Sequence, residues 1–179
     1  MNYQNILHFW FEEIDPKHIW IKDPVFDMLI IDRYSDVYDK ATRCELHEWR
    51  EHPEGRLAEI IILDQFSRNM FRDSAKAFAF DSLALCLAQQ AIATKDDQKI
   101  EKSRRSFMYL PFMHSESKKV HQYALKIYQE FGDQVSLEFE IKHKNIIDRF
   151  GRYPHRNKAL CRKSTQEEIQ FLTQPGSGF

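Results

Sequence analysis

The nine residues RFGRYPHRN, Arg149 to Asn157, hold four basic side chains, an amide, two aromatics, a glycine and a proline. Guanidinium groups at Arg149, Arg152 and Arg156 suit two-point recognition of a carboxylate or a phosphate. His155 titrates near neutral pH and suits acid/base work. Asn157 adds an orienting hydrogen-bond donor and acceptor.

A second concentration lies in RLAEIIILDQFSRNMFRD. Its apolar stripe begins as Leu57, Ile60 and Ile61, and the same helical spacing then delivers Asp64, Gln65, Arg68 and Arg72, with Asn69 alongside. A face that should be buried turns polar halfway along. Buried charge is costly unless it is paired and hydrogen-bonded. Such a stripe is therefore either an internal network or the lining of a pocket.

A third set, Arg105, His114 and Glu116, brackets the proline of RRSFMYLPFMHSES. A carboxylate at 116 suits the positive end of a following helix, so Glu116 reads as structural. His143 falls on a stripe of Phe139, Ile146, Ile147 and Phe150 and reads as a hydrogen-bonded core histidine.

Other chemistries find no support. The histidine spacings match no HExxH-type metal pattern, and GxxxxGK[ST], GxGxxG and GxSxG are all missing, so no metal and no cofactor are expected. Cys44, Cys86 and Cys161 are far apart, odd in number and form no CxxC, which fits a reducing cytoplasm. A formal net charge of −1 gives no electrostatic case for nucleic acid. No apolar run reaches the ~20 residues that span a bilayer.

The elements that must position these residues are helices. The 179 residues are 42% hydrophobic and 30% charged, enough for a substantial core. Asp23 and Pro24 open a helix whose buried face is expected to carry Phe26, Leu29, Ile30, Tyr34, Val37, Tyr38 and Ala41, interrupted only by Arg33. Residues 2–13 make a short helix, and Pro53 starts one running to about Phe71. Ser74 is expected to cap the next. A helix at about 97–108 stops before Pro111, Ser115 caps the following one, and Gly132 and Gly151 end two more. Ser164 with Glu167 reads as a capping box before a last short helix. No stretch alternates as strands do. The fold class is all-α, antiparallel helix pairs in about seven or eight helices, as one domain over 1–179 with a loose tail at 173–179, in which Phe179 is able to dock.

LDQFSRNMFR with AFAFD, then LPFMHSE, RFGRYPHRN and STQEEIQFL, resemble in order and over nearly the whole chain the bacterial domain-of-unknown-function family 924. The family usually has Pro where this chain has Ser67 and Phe where it has Tyr153. The resemblance implies a tetratricopeptide-like array of helix pairs and implies no activity. It places the family's motif residues on Asp64, Gln65, Arg68, Asn69, Arg72, Asp81, Arg105, His114, Glu116, His143, Arg149, Arg152, His155, Arg156 and Asn157.

Three functions fit. The first is a binding module for an anionic or carboxylate-bearing small molecule or an acidic peptide, held by Gln65, Arg68, Asn69, Arg72, Arg105, His114, Arg152, His155, Arg156 and Asn157. Asp64, Asp81, Glu116, His143 and Arg149 would form its structural network. The second is a hydrolase or transferase on an anionic substrate, with His114 or His155 as acid/base. The third is an interaction protein whose motif residues form only an internal network.

Overall fold

A computed structural model describes residues 1–178. Phe179, read as able to dock, lies outside the described residues. The helices are α1 (Tyr3–His8), α2 (Pro24–Thr42), α3 (Pro53–Ile61), α4 (Ser67–Met70), α5 (Asp81–Ala93), α6 (Lys102–Met113), α7 (Lys118–Phe131), α8 (Gln134–Phe150) and α9 (Gln166–Leu172). α3 passes into α4 through a π turn, Ile62–Phe66, so the two make one run. The described residues thus hold eight helical runs and no strand, the all-α class that the patterning requires.

The chain forms two compact units, residues 1–72 with 76–111, and residues 73–75 with 112–179; the division falls inside α6, after Pro111. In the first unit α3 packs on α1 and α5, and α2 packs on α4 and the π turn. Its centre is aromatic. Phe9 and Tyr34 have ring centroids 4.7 Å apart, Tyr34 and Phe66 5.0 Å, and Trp10 and Phe66 5.5 Å. Each of these rings contributes roughly 1.5–3 kcal/mol by burial. Residues Leu57 to Ser67 are all buried. A helix buried on every side cannot keep a polar face in water, which is why Asp64 and Gln65 end up inside. The π turn adds a residue to one turn and so rotates the face that follows it.

The second unit is built on α7 and α8. Gly132 ends α7 by donating its N–H to the Tyr128 carbonyl, Asp133 caps α8 through the Ser136 N–H, and the two helices fold back on one another. Lys118 on α7 donates to the Asp148 carbonyl on α8 at 2.8 Å, as an antiparallel pair requires. Ile146, Ile147 and Tyr153 form a core against which Phe150 and Phe171 pack.

Several boundaries differ from expectation. α6 begins at Lys102, after a separate 3-10 turn at Asp97–Lys99, and it includes Pro111. That proline has no N–H to give the Phe107 carbonyl one turn back, and α6 ends two residues later, at Met113. Ser74 precedes a 3-10 turn at Ala75–Phe78, and α5 opens only at Asp81. α7 is capped by Ser117, not Ser115. Leu29 and Phe139, both expected on buried faces, are exposed, and Phe139's neighbour Glu140 takes the buried position.

Candidate functional site

The motif residues fall into two groups, one in each unit. In the first, α2 and the α3–α4 run bring Asp27 to Asn69 and Arg72. Asp27 accepts from Asn69 Nδ2 at 2.8 Å and from Arg72 Nε and Nη2 at 2.7 and 2.6 Å. One turn earlier, Arg68 reaches Asp64 Oδ1 at 3.2 Å and Asp81 Oδ2 at 3.0 Å, and donates to the Asp64 carbonyl at 2.6 Å. Gln65 donates to the Asp64 carboxylate. The Ser67 hydroxyl, just after the π turn, lies 2.7 Å from the Leu63 carbonyl and 3.1 Å from those of Asp64 and Ala77. Arg105 sits apart from these and donates to the carbonyls of Gln98 and Ile100, both at 3.2 Å.

The second group centres on the 3-10 turn Pro154–Arg156 that follows Gly151. Glu116 accepts the Tyr153 N–H at 2.8 Å and a fork from Arg162 at 2.5 and 2.8 Å. Burial opposes ionisation of Glu116, but the Arg162 fork and the Tyr153 N–H outweigh it and hold its carboxyl below the usual range. Glu168 takes a fork from Arg152 at 2.7 and 2.8 Å, the Thr165 N–H at 2.7 Å and Asn157 Nδ2 at 3.3 Å. The Arg152 fork leads in holding Glu168 down to about 2. Asn157 also accepts from Arg162 Nε at 3.0 Å and donates to the Ser164 hydroxyl at 3.1 Å. Arg149 pairs with Glu167 at 2.8 Å on the surface and lies over the ring of Phe150 at 4.7 Å.

Beneath this lies a histidine cluster. His121 and Glu140 are both fully buried. His121 Nδ1 lies 2.8 Å from the Glu140 carboxyl and Nε2 2.8 Å from the Ser115 carbonyl. A carbonyl only accepts, so Nε2 carries a proton. Burial pushes Glu140 up against the pull of His121. The Tyr153 hydroxyl donates to the Met113 carbonyl at 2.5 Å and lies 3.2 Å from His121 Nε2. His143 donates Nδ1–H to the Phe139 carbonyl at 2.8 Å, and burial brings it down to about 3, so it is neutral. Arg156 is only 6% exposed and lies over the Tyr153 ring at 4.5 Å. His155 stands with its ring 5.5 Å from the same tyrosine, and His114, near His143, is half-buried.

Asp27, His121, Glu140, Arg162 and Glu168 belong to these networks and stand outside the motif set drawn from sequence. Asp27 reads as a first-turn acid that favours the helix dipole. Glu140 has a weak signal, an acid four residues before a lysine on α8. His121 and Arg162 show none, because each is paired across 19 or more residues. Among the described residues no group of three or more His, Cys, Asp or Glu is placed to hold a metal ion, and no helix is long and apolar enough to cross a membrane.

An all-helical chain with these two networks has relatives. Residues 6–176 match the model of the family described as a bacterial protein of unknown function, DUF924, and the chain belongs to that family. Its structure is similar to that of ATU0120, a protein of unknown function from Agrobacterium tumefaciens, with 40% sequence identity, a TM-score of 0.89, and coverage of 95% of this chain and 96% of that one. No curated protein matches the chain.

Proposed function

We propose that this chain is a helical interaction module in which the motif arginines act as internal struts, so that contact with other molecules is made on the surfaces they hold in place. The observation that carries the reading is the use of the guanidinium groups. Arg68, Arg72 and Arg152 of the motif set, and Arg162 outside it, each meet a carboxylate of their own unit, three of the four through paired hydrogen bonds. A fork already seated on a carboxylate offers little to an incoming anion. Under this reading alanine at these positions costs stability, as breaking a half-buried or buried pair does, by about 1–5 kcal/mol. Urea unfolding of the four single variants is the test, and wild-type stability in all four would refute it.

A second reading keeps an anionic or carboxylate-bearing ligand and confines it to His114, His155 and Arg156. Its support is the buried Arg156 guanidinium over Tyr153, with His155 beside the same ring. A thermal-shift screen against anionic metabolites, nucleotides and acidic peptides tests it. A shift in wild type that is lost in a folded Arg156→Ala would favour this site over the strut reading. Turnover of such a ligand, lost in His114→Gln or His155→Gln with binding kept, would make the chain an enzyme.

A further inference from the structure

The chain turns back after α9. Thr173 and Gln174 close the helix by donating their N–H groups to the Gln170 and Phe171 carbonyls at 3.3 and 3.0 Å. Gln174, Pro175, Gly176 and Ser177 then make a reversal that their types specify. Proline suits the second position of a type II turn, and glycine the third, where φ is positive. Gly176 stands at φ 76°, and the Ser177 N–H returns to the Gln174 carbonyl at 3.3 Å. The Ser177 hydroxyl donates to the Leu172 carbonyl at 3.2 Å. The reversal lays Gly178 against His155. A Cβ placed on this glycine would lie 3.6 Å from the His155 Cβ and 3.9 Å from its Cγ.

The root of this segment and its tip are held very differently. At the root, Glu168 is buried on Arg152 and Asn157, and Phe171 packs on Phe150 with ring centroids 5.0 Å apart. Beyond it, residues 173–176 and 178 are exposed and Ser177 is half-buried. The tip is tied by turn bonds in reach of water and by its contact with His155. Segments with little buried surface open locally at small cost, without unfolding what they rest on. The histidine beneath is half-buried, with its Nδ1 shielded and its ring 5.5 Å from that of Tyr153.

We infer that residues 173–178 form a strap over His155, hinged where α9 ends, and that the strap controls access to this imidazole. Closed, it keeps water and solutes from the shielded side of the ring. Lifted, it frees the imidazole to bind an anion or exchange a proton, as a lid does at a reacting group. The inference rests on the second reading above, the anion site at His114, His155 and Arg156, and supplies that site with a gate. The strap itself is defined by the turn and the contact, so the two are separable by experiment.

The test uses the full chain and diethyl pyrocarbonate, which carbethoxylates accessible neutral imidazoles, each histidine being read by peptide mass spectrometry. The exposed His47 is the internal reference. In wild type His155 should react far more slowly than His47. Gly176→Val puts a β-branched residue in the left-handed region and should speed His155 about fivefold or more, with His47 and the far-UV spectrum unchanged. Ser177→Ala removes only the bond to Leu172 and should speed it about twofold or more; it carries the test if Gly176→Val disturbs the fold. A wild-type His155 as reactive as His47, or a His155 rate that stays at the wild-type value in both variants, would overturn the strap. Inorganic phosphate tests the reading beneath it. Phosphate that protects His155 in Gly176→Val supports a gated anion site. A His155 freed in that variant and left unprotected would overturn the anion as what the gate admits, with the strap itself upheld.

Discussion

Glu167 and Glu168 are neighbours in sequence and opposites in environment. Glu167 meets Arg149 with side chains 60% and 49% exposed, whereas the Glu168 side chain is 3% exposed and holds Arg152, Thr165 and Asn157 together. Exposed pairs contribute little, and a buried carboxylate that anchors a guanidinium contributes much. Glu168→Ala should therefore lower the unfolding free energy by about 3 kcal/mol, and Glu167→Ala by less than about 1 kcal/mol, both read from urea titration. The charges also set an acid limit. His143 lies at about 3 in the folded chain, below its ordinary 6.5, so the unfolded chain binds the extra proton. Stability is lost as pH falls below 6.5, with a slope approaching about 1.4 kcal/mol per pH unit until about pH 3. Glu168, at about 2 against an ordinary 4.5, adds a second loss as pH falls from about 4.5 toward 2. His143→Gln should flatten the limb between pH 6.5 and 4.5 and leave the lower one. An unchanged profile in that variant would assign the upper limb elsewhere. At this scale the types of the polar residues were legible and their partners were not. Asp64, Gln65 and Arg68 announce themselves by breaking an apolar stripe, but Arg162 and His121 are defined by contacts that no local spacing records.

Helix ends show the same division between what is local and what is not. Gly151 ends α8 in the left-handed region at φ 70°, as its position after Phe150 implies. STQEE holds two overlapping capping boxes, Ser164 with Glu167 and Thr165 with Glu168. The second forms, because Glu168 is also pulled inward by Arg152 and Asn157 while Ser164 is taken by Asn157. In HSES the Ser115 carbonyl is occupied by His121 and the cap passes to Ser117. Both choices are decided by tertiary partners. Other ends pay a backbone strain. Cys44 and Lys95 follow α2 and α5 with φ of 59° at each, in turns closed by the bonds Glu45 N–H to Lys40 O and Asp96 N–H to Ala91 O. Glycine suits such positions, so Cys44→Gly and Lys95→Gly should each stabilise by up to about 1 kcal/mol, and Gly151→Ala should destabilise by a similar amount. Thermal midpoints moving the other way would contradict the assignment of these turns. The π turn Ile62–Phe66 is buried throughout, so its amides should exchange with solvent only through opening of the whole first unit, far more slowly than those of α9.

For the whole molecule, the all-α class was legible because helix periodicity, capping residues and the scarcity of glycine and proline all agree. The order of motifs pointed to the family that the match over residues 6–176 and the 40% identical neighbour establish. What sequence left open was whether the arginine-rich motifs serve a ligand or the fold, since both uses need the same residue types. The distances favour the fold: within each unit the carboxylates that seat the guanidinium groups come from elsewhere in the same unit, so the motifs tie helices together. The most direct measurement is a double-mutant cycle on Arg152 and Glu168, with wild type, Arg152→Ala, Glu168→Ala and the double variant unfolded in urea at pH 7. If Arg152 is a strut, both single variants lose stability and the coupling is favourable by about 1 kcal/mol or more. An Arg152→Ala variant as stable as wild type, with coupling near zero, would contradict the account and return this arginine to a ligand.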